Sequence, residues 1–302
     1  MKAARAHAFV LIAVAVGSAP ARRANACASC GCGDQTLTAT GVERPYKNRI
    51  RVAWEERYGS FTMGDDASGE HATFLRSTIA ASWSPWKRLT IGMTLPWVAA
   101  WVTRAPTPES KINGLGDMEL AARLVVFQEK SFAPHHVIWA SGGLKFPTGP
   151  RVADAEGFLV PPDDQPGSGS WDPFAGVTYA WFSGELTSFF ASVTGRLTTP
   201  GWDHYRRGSI VGGSLAFQLQ PWSWGALQLG GDFLWQQSDV LSTGNAVPNT
   251  GGATGYIALG FMVNPWRDLL FRVAVDAPVL MALHGTQTVG TQLIAQLSYD
   301  FN

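Results

Sequence analysis

From residue 49 onward, apolar and polar residues alternate with a period of two, the pattern of half-buried β-strands. In the first such stretch, 49–60, Ile50, Val52 and Trp54 fall on one face and Arg51, Ala53, Glu55 and Arg57 on the other. The same alternation predicts strands over 74–84, 89–102, 116–128, 136–146, 171–182, 186–197, 208–220, 225–237, 255–263, 269–276 and 288–301. Leu89, Ile91, Met93, Leu95 and Trp97 share a face of the third strand, and in the fourth Leu120, Ala122, Leu124 and Val126 oppose Asp117, Glu119 and Arg123. In the last strand Leu293, Leu297, Tyr299 and Phe301 oppose Gln292, Gln296, Ser298 and Asp300. An apolar face backed by a charged or amide-bearing one fits lipid outside and water inside.

The connections alternate in length. Three of the short ones repeat a motif: Ser84-Pro85-Trp86-Lys87-Arg88, Gln220-Pro221-Trp222-Ser223-Trp224 and Asn264-Pro265-Trp266-Arg267-Asp268. Proline presets a turn dihedral and cannot donate to a ladder, while tryptophan suits a boundary between oil and water. The longest connection, 147–170, is rich in proline, glycine and aspartate and is expected to be exposed and mobile. An all-β fold follows: an antiparallel up-and-down transmembrane β-barrel of about 12 strands, with short turns periplasmic and long loops extracellular. One aromatic girdle would hold Trp83, Trp86, Trp139, Trp181, Trp222, Trp224 and Trp266, and the other Trp97, Trp101, Trp171, Trp202 and Trp235. A soluble β-sandwich would need the charged faces outside and leaves both girdles unexplained.

Composition sharpens this picture. Only 15% of the 302 residues are charged, 23 basic against 23 acidic, and there are 33 glycines and 13 tryptophans. Such a balance gives no electrostatic reason to bind nucleic acid. The start, Met1-Lys2-Ala3-Ala4-Arg5, the apolar run 9–16 and the small-residue site Ala24-Asn25-Ala26 read as an export signal over 1–26. A Cys-containing periplasmic segment, 27–48, and the barrel, 49–302, complete the expected organisation. No segment carries the roughly 18 consecutive apolar residues of a membrane helix, but a closed barrel can cross a bilayer because closure pairs its backbone groups.

Three stretches carry a resemblance: Gly114-Leu115-Gly116-Asp117-Met118-Glu119-Leu120, Gly142-Gly143-Leu144-Lys145-Phe146-Pro147-Thr148-Gly149 and Gly167-Ser168-Gly169-Ser170-Trp171-Asp172. They resemble a family of outer-membrane barrels described as transporters of the phenol meta-degradation pathway, which implies a transport role. The ending Leu297-Ser298-Tyr299-Asp300-Phe301-Asn302 is similar to the aromatic-terminated signal read by the barrel-assembly machinery.

The chemistry expected in the lumen rests on Arg51, Arg57, Arg76, Glu119, Arg123, Lys145, Arg196, Asp232, Arg272 and Asp276. They can either filter solutes by charge and size or fill a narrow barrel with ion pairs, and the surplus of bases favours anions. Cys27, Cys30 and Cys32 could hold Cu(I) or zinc, since soft thiolates select those ions; a disulfide or a lipidated Cys27 are the alternatives. Beyond that possible Cu or Zn, no cofactor is expected. Asp65-Asp66 and Asp203-His204 loosely resemble the acidic and Asp-His pairs of omptin proteases, and His71, His204 and His284 fall in outer loops where a metal could join them.

The function expected is not enzymatic: a monomeric channel in the Gram-negative outer membrane, contacting lipid and passing a small solute, aromatic or anionic in character. The second expectation is a barrel that anchors a periplasmic adaptor for a metal or redox partner through the Cys segment. A third is an outer-loop hydrolase.

Overall fold

A computed structural model describes residues 47–64, 69–104, 109–131, 133–153, 157–183, 186–266 and 268–301. The signal expected over 1–26 and residues 27–46 of the cysteine segment expected over 27–48 lie outside the described residues, as do Asp65, Asp66 and Asn302. The strands are β1 (Arg49–Met63), β2 (Glu70–Trp86), β3 (Leu89–Arg104), β4 (Ser110–Leu115), β5 (Glu119–Gln128), β6 (His136–Lys145) and β7 (Asp172–Ser183). They continue as β8 (Thr187–Arg196), β9 (Ile210–Trp222), β10 (Gly225–Gln236), β11 (Gly252–Trp266), β12 (Leu269–Leu283), β13 (Gln287–Val289) and β14 (Gln292–Phe301).

All pairings are antiparallel, and β1 bonds to β2 on one edge and to β13 and β14 on the other, so the sheet closes on itself. Because β4 and β5 share a partner in β3, and β13 and β14 share β1, fourteen segments fill twelve positions. Among the described residues no helix is long and apolar enough to cross a membrane.

The period of two does what the sequence demands of it. Ile50, Val52, Trp54, Leu227, Leu229, Leu297 and Tyr299 are exposed on the outside, while Arg51, Ala53, Gln228, Gln296 and Ser298 are buried within. An apolar outer surface of this extent is stable only against lipid.

At Glu56 an ionisable residue interrupts the belt. Glu56 lies between outward-facing Trp54 and Tyr58, where its Oε1 accepts a hydrogen bond from Ser77 Oγ at 2.7 Å, and Ser77 Oγ in turn accepts one from Trp54 Nε1 at 2.8 Å.

In all three Pro-Trp motifs the proline lies within the strand end, two residues before the turn. The ladders run Trp86↔Leu89, Trp222↔Gly225 and Trp266↔Leu269, each beside a register shift. Two-residue turns therefore follow the tryptophans, and at Pro85 and Pro265 the proline occupies the irregularity between Trp83 and Trp86 or Val263 and Trp266. A bulge is where a strand can spare the N–H that proline lacks.

Three expectations need correction. Trp139 belongs to no girdle: it is 3% exposed and points into the barrel, because the alternation of β6 puts Val137 and Trp139 on the inner face. Trp202 sits in the 197–209 loop under the Arg151 guanidinium rather than in a girdle. The strand expected over 116–128 is interrupted at Gly116-Asp117-Met118, where Gly116 N donates to Pro96 O and Met118 N to Thr148 Oγ1, each at 2.8 Å.

The loop 147–170 also differs from expectation, since Gln165, Ser168 and Ser170 are buried. Val160 packs with Ala72, Val102 and Ile112, which belong to the inner faces of β2, β3 and β4. Gln165 satisfies the loop's own backbone, accepting from Val152 N and donating to Val152 O and Val160 O. The loop is thus held as a lining of the long-loop end.

Candidate functional site

Strand direction sorts the interior into levels. At the short-turn end, inward residues of β5 to β12 form an apolar cluster of Val125, Val137, Trp139, Phe182, Phe190, Met262 and Leu270 with small alanines between them. Beside this floor, at the β1–β14 seam, Arg51 grips Asp300 with both Nε (2.5 Å) and Nη2 (2.6 Å), and Arg49 pairs with the same carboxylate. Two charge-assisted bonds from one guanidinium fix geometry as well as energy.

Further along each strand toward the long loops lies a cavity of about 350 Å³. Six of the ten residues expected in the lumen line it: Arg57, Arg76, Glu119, Arg196, Asp232 and Asp276. Arg196 Nη2 reaches Glu119 Oε1 at 2.8 Å while its guanidinium lies over the Phe174 ring. Arg57 donates to Gln292 Oε1 at 2.9 Å and stands 3.5 Å from Glu55 and 3.8 Å from Asp276. Arg76 is exposed to this space.

The other four point inward but away from the cavity. Arg51 belongs to the seam, Arg123 is buried in β5, and Arg272 Nε donates to Gln228 Oε1 at 3.1 Å. Lys145 is the centre of a buried cage. Its Nζ lies 2.9 Å from Asp117 Oδ2, 2.8 Å from Asp172 Oδ2 and 3.2 Å from Ser170 Oγ, and it also bonds Ser168 Oγ. Asp117 accepts in addition from Gly149 N at 3.1 Å and Ser168 N at 2.7 Å.

The three stretches that carry the family resemblance thus meet at one point. Asp117 comes from the first, Lys145 and Gly149 from the second, and Ser168, Ser170 and Asp172 from the third. Together they tie the loop 147–170 to the inner wall. A glycine is required at 169, where φ is +69° and a Cβ would stand 2.5 Å from Trp202 Nε1.

Several interior charges were not among the expected lumen residues: Glu55, Asp117, Asp172, Asp300 and Arg49. The signal for Glu55 and Asp300 was present, since each alternates with outward apolar neighbours. With these included, the named interior charges are eight basic and seven acidic, so the surplus of bases on which an anion preference rested nearly vanishes.

Outside the wall, Tyr205 donates to Asp239 Oδ2 at 2.5 Å, and Asp239 Oδ1 accepts from Gly208 N at 2.7 Å, knitting the 197–209 and 237–251 loops. Burial first, and then this carboxylate, push the Tyr205 phenol well above its ordinary range. Asp203 pairs with Arg151, His71 contacts Thr62, and His284 contacts Ser238. Among the described residues no group of three or more His, Cys, Asp or Glu is placed to hold a metal.

No family model matches the chain, and no curated protein matches it in sequence. Solved structures do match in fold. An outer-membrane channel from Pseudomonas putida F1 superposes with a TM-score of 0.67 at 13% identity, over 89% of this chain and 99% of that one. Looser likenesses are a mutant of the TodX monoaromatic hydrocarbon channel (TM-score 0.49, 10% identity, 92% and 98% covered) and the translocator domain of the autotransporter NalP from Neisseria meningitidis (0.48, 8%, 85% and 90%). The chain has the closed twelve-position β-barrel fold of an outer-membrane channel.

Proposed function

We propose that the chain is a channel of the Gram-negative outer membrane that passes a small solute by passive diffusion. The observation that carries this reading is the charge-lined cavity of about 350 Å³ enclosed by a barrel whose outer surface is apolar. That volume falls at the lower end of small-molecule sites, about 300 to 1,000 Å³. The fold shared with a channel from Pseudomonas putida F1 supports the reading. The resemblance to transporters of an aromatic degradation pathway agrees with transport but leaves the solute to be identified.

The apolar floor at the short-turn end lies across this route. Passage then depends on movement of Trp139, Phe182 and Phe190 or of the chain around them. The test is conductance of the refolded full chain in a planar bilayer. Discrete steps are expected; a silent bilayer at saturating protein overturns the channel and leaves a barrel that serves as an anchor.

A further inference from the structure

Most interior charges are already committed. Arg51 is held by Asp300, Lys145 by Asp117 and Asp172, Arg196 by Glu119 and Arg272 by Gln228. Two residues that line the cavity are different: among the described residues, neither Arg76 nor Asp232 has a hydrogen bond or an ion pair. Asp276 is a partial third. It is 4% exposed, its Oδ2 stands 3.8 Å from Arg57, and its Oδ1 is buried without a hydrogen-bond partner.

The registers place these groups as two poles. Arg76 on β2 is directly opposite Arg57 on β1, so two guanidiniums stand side by side. The Arg57 guanidinium is engaged by Gln292, Glu55 and Asp276, whereas Arg76 feels the charge of Glu119 without a hydrogen bond or ion pair of its own. Like charges directly opposed are unfavourable until an anion joins them. Asp232 on β10 is opposite Tyr256 on β11, and Asp276 on β12, which also stands 3.8 Å from Arg57, is opposite Ala258, two residues further along the same inner face. Two carboxylates flanking one strand form a place for a cation or for N–H donors.

The wall between these groups mixes apolar side chains, Phe174, Ile210, Phe233 and Leu234, with polar ones. Thr78, Thr94, Ser192, Thr194 and Ser214 supply hydroxyls, and at Gly195 nothing lies within 4 Å of where a side chain would begin. Charges of opposite sign with open hydrogen-bonding positions in one small cavity match a ligand that carries both signs itself, and a purely apolar ligand would leave those positions unfilled.

We propose that the cavity binds a small amphoteric solute of amino-acid size, its anionic group on Arg76 and its ammonium group between Asp232 and Asp276. This rests on the channel reading above. A solute held at both ends is selected over neutral molecules of the same size, and charge complementarity of this kind favours entry more than tight retention.

The experiment is osmotic swelling of liposomes carrying the full chain, with 4-aminobutyrate, the neutral erythritol, the anion propanesulfonate and the cation choline. The readout is the rate for 4-aminobutyrate relative to erythritol within each protein. We expect 4-aminobutyrate to enter fastest. Arg76→Ala and Asp232→Asn should each lower the ratio at least about tenfold, in keeping with loss of one charged hydrogen-bond partner, and Arg76→Lys should retain most of it. Heat-shifted gel mobility verifies that each variant is a closed barrel.

Equal entry of 4-aminobutyrate and erythritol overturns the amphoteric site while leaving the channel intact. Faster entry of propanesulfonate or choline overturns it in favour of a site of one sign. No entry of any solute overturns the channel reading and this proposal together.

Discussion

Lys145 Nζ lies 2.9 Å from Asp117 Oδ2, an ion pair buried between the end of β6 and the break that separates β4 from β5. It binds the inner wall to the loop 147–170 through Ser168, whose N–H donates to the same aspartate oxygen. Removing one member of a buried ion cluster leaves the rest uncompensated, at a cost of about 3 to 5 kcal/mol.

Lys145→Met should therefore destabilise the barrel by about 3 to 5 kcal/mol in denaturant unfolding and make the loop 147–170 the first site of limited proteolysis. Asp117→Asn in the same chain should recover part of that loss, because one stranded charge is removed with its partner. Unchanged loop protection in Lys145→Met would mean that the apolar contacts of Val160 hold the loop without the cage.

Glu56 is an ionisable group that interrupts the apolar belt between Trp54 and Tyr58. Its bond to Ser77 offsets only part of the cost of a carboxyl facing lipid, since Oε2 is buried without a partner. Glu56→Leu should stabilise the barrel in bilayers by about 1 kcal/mol, read from unfolding in urea. Destabilisation would assign the Trp54, Ser77 and Glu56 chain a structural role that outweighs desolvation.

Trp139 and Phe190 belong to the apolar floor of the lumen. Under the channel reading, Trp139→Ala opens space in this floor and should raise single-channel conductance. Conductance equal to that of the unaltered chain would place the limiting constriction elsewhere.

Glu129 caps the β5–β6 connection, accepting from His135 N at 2.5 Å and His136 N at 2.6 Å. Desolvation pushes its carboxyl up, but the two backbone N–H groups and the nearby histidines outweigh this and hold it below the usual carboxylate range. A depressed folded value means that the stabilisation is present above the unfolded carboxylate value and is lost as pH falls through the folded one. Amide exchange at His135 and His136 should thus quicken on acidification below about pH 4, and Glu129→Gln should abolish that pH step. A pH step that persists in the variant would assign it to other groups.

What the sequence determined by itself is the alternation. Charged positions such as Arg57, Asp232 and Asp276 fall inward because a period of two leaves each residue only two faces, and the long run of apolar partners fixes which face meets lipid. The twelve barrel positions, the alternation of short and long connections and the closing β1–β14 seam follow from the same pattern.

Tertiary structure decided everything that depends on which inward residues meet. Trp139 reads as a girdle residue by type, yet the parity of β6 puts it in the floor. The loop 147–170 has a composition expected of an exposed and mobile segment, yet Asp117 and Lys145, 28 positions apart in the chain, bind it down. Arg76 and Arg51 are indistinguishable in their alternation. Only closure of the barrel brings Asp300, 249 positions away, to Arg51 and leaves Arg76 facing the cavity. Alternation is a local property of the extended chain, whereas charge pairing across a lumen depends on distances that exist only after the first and last strands have joined.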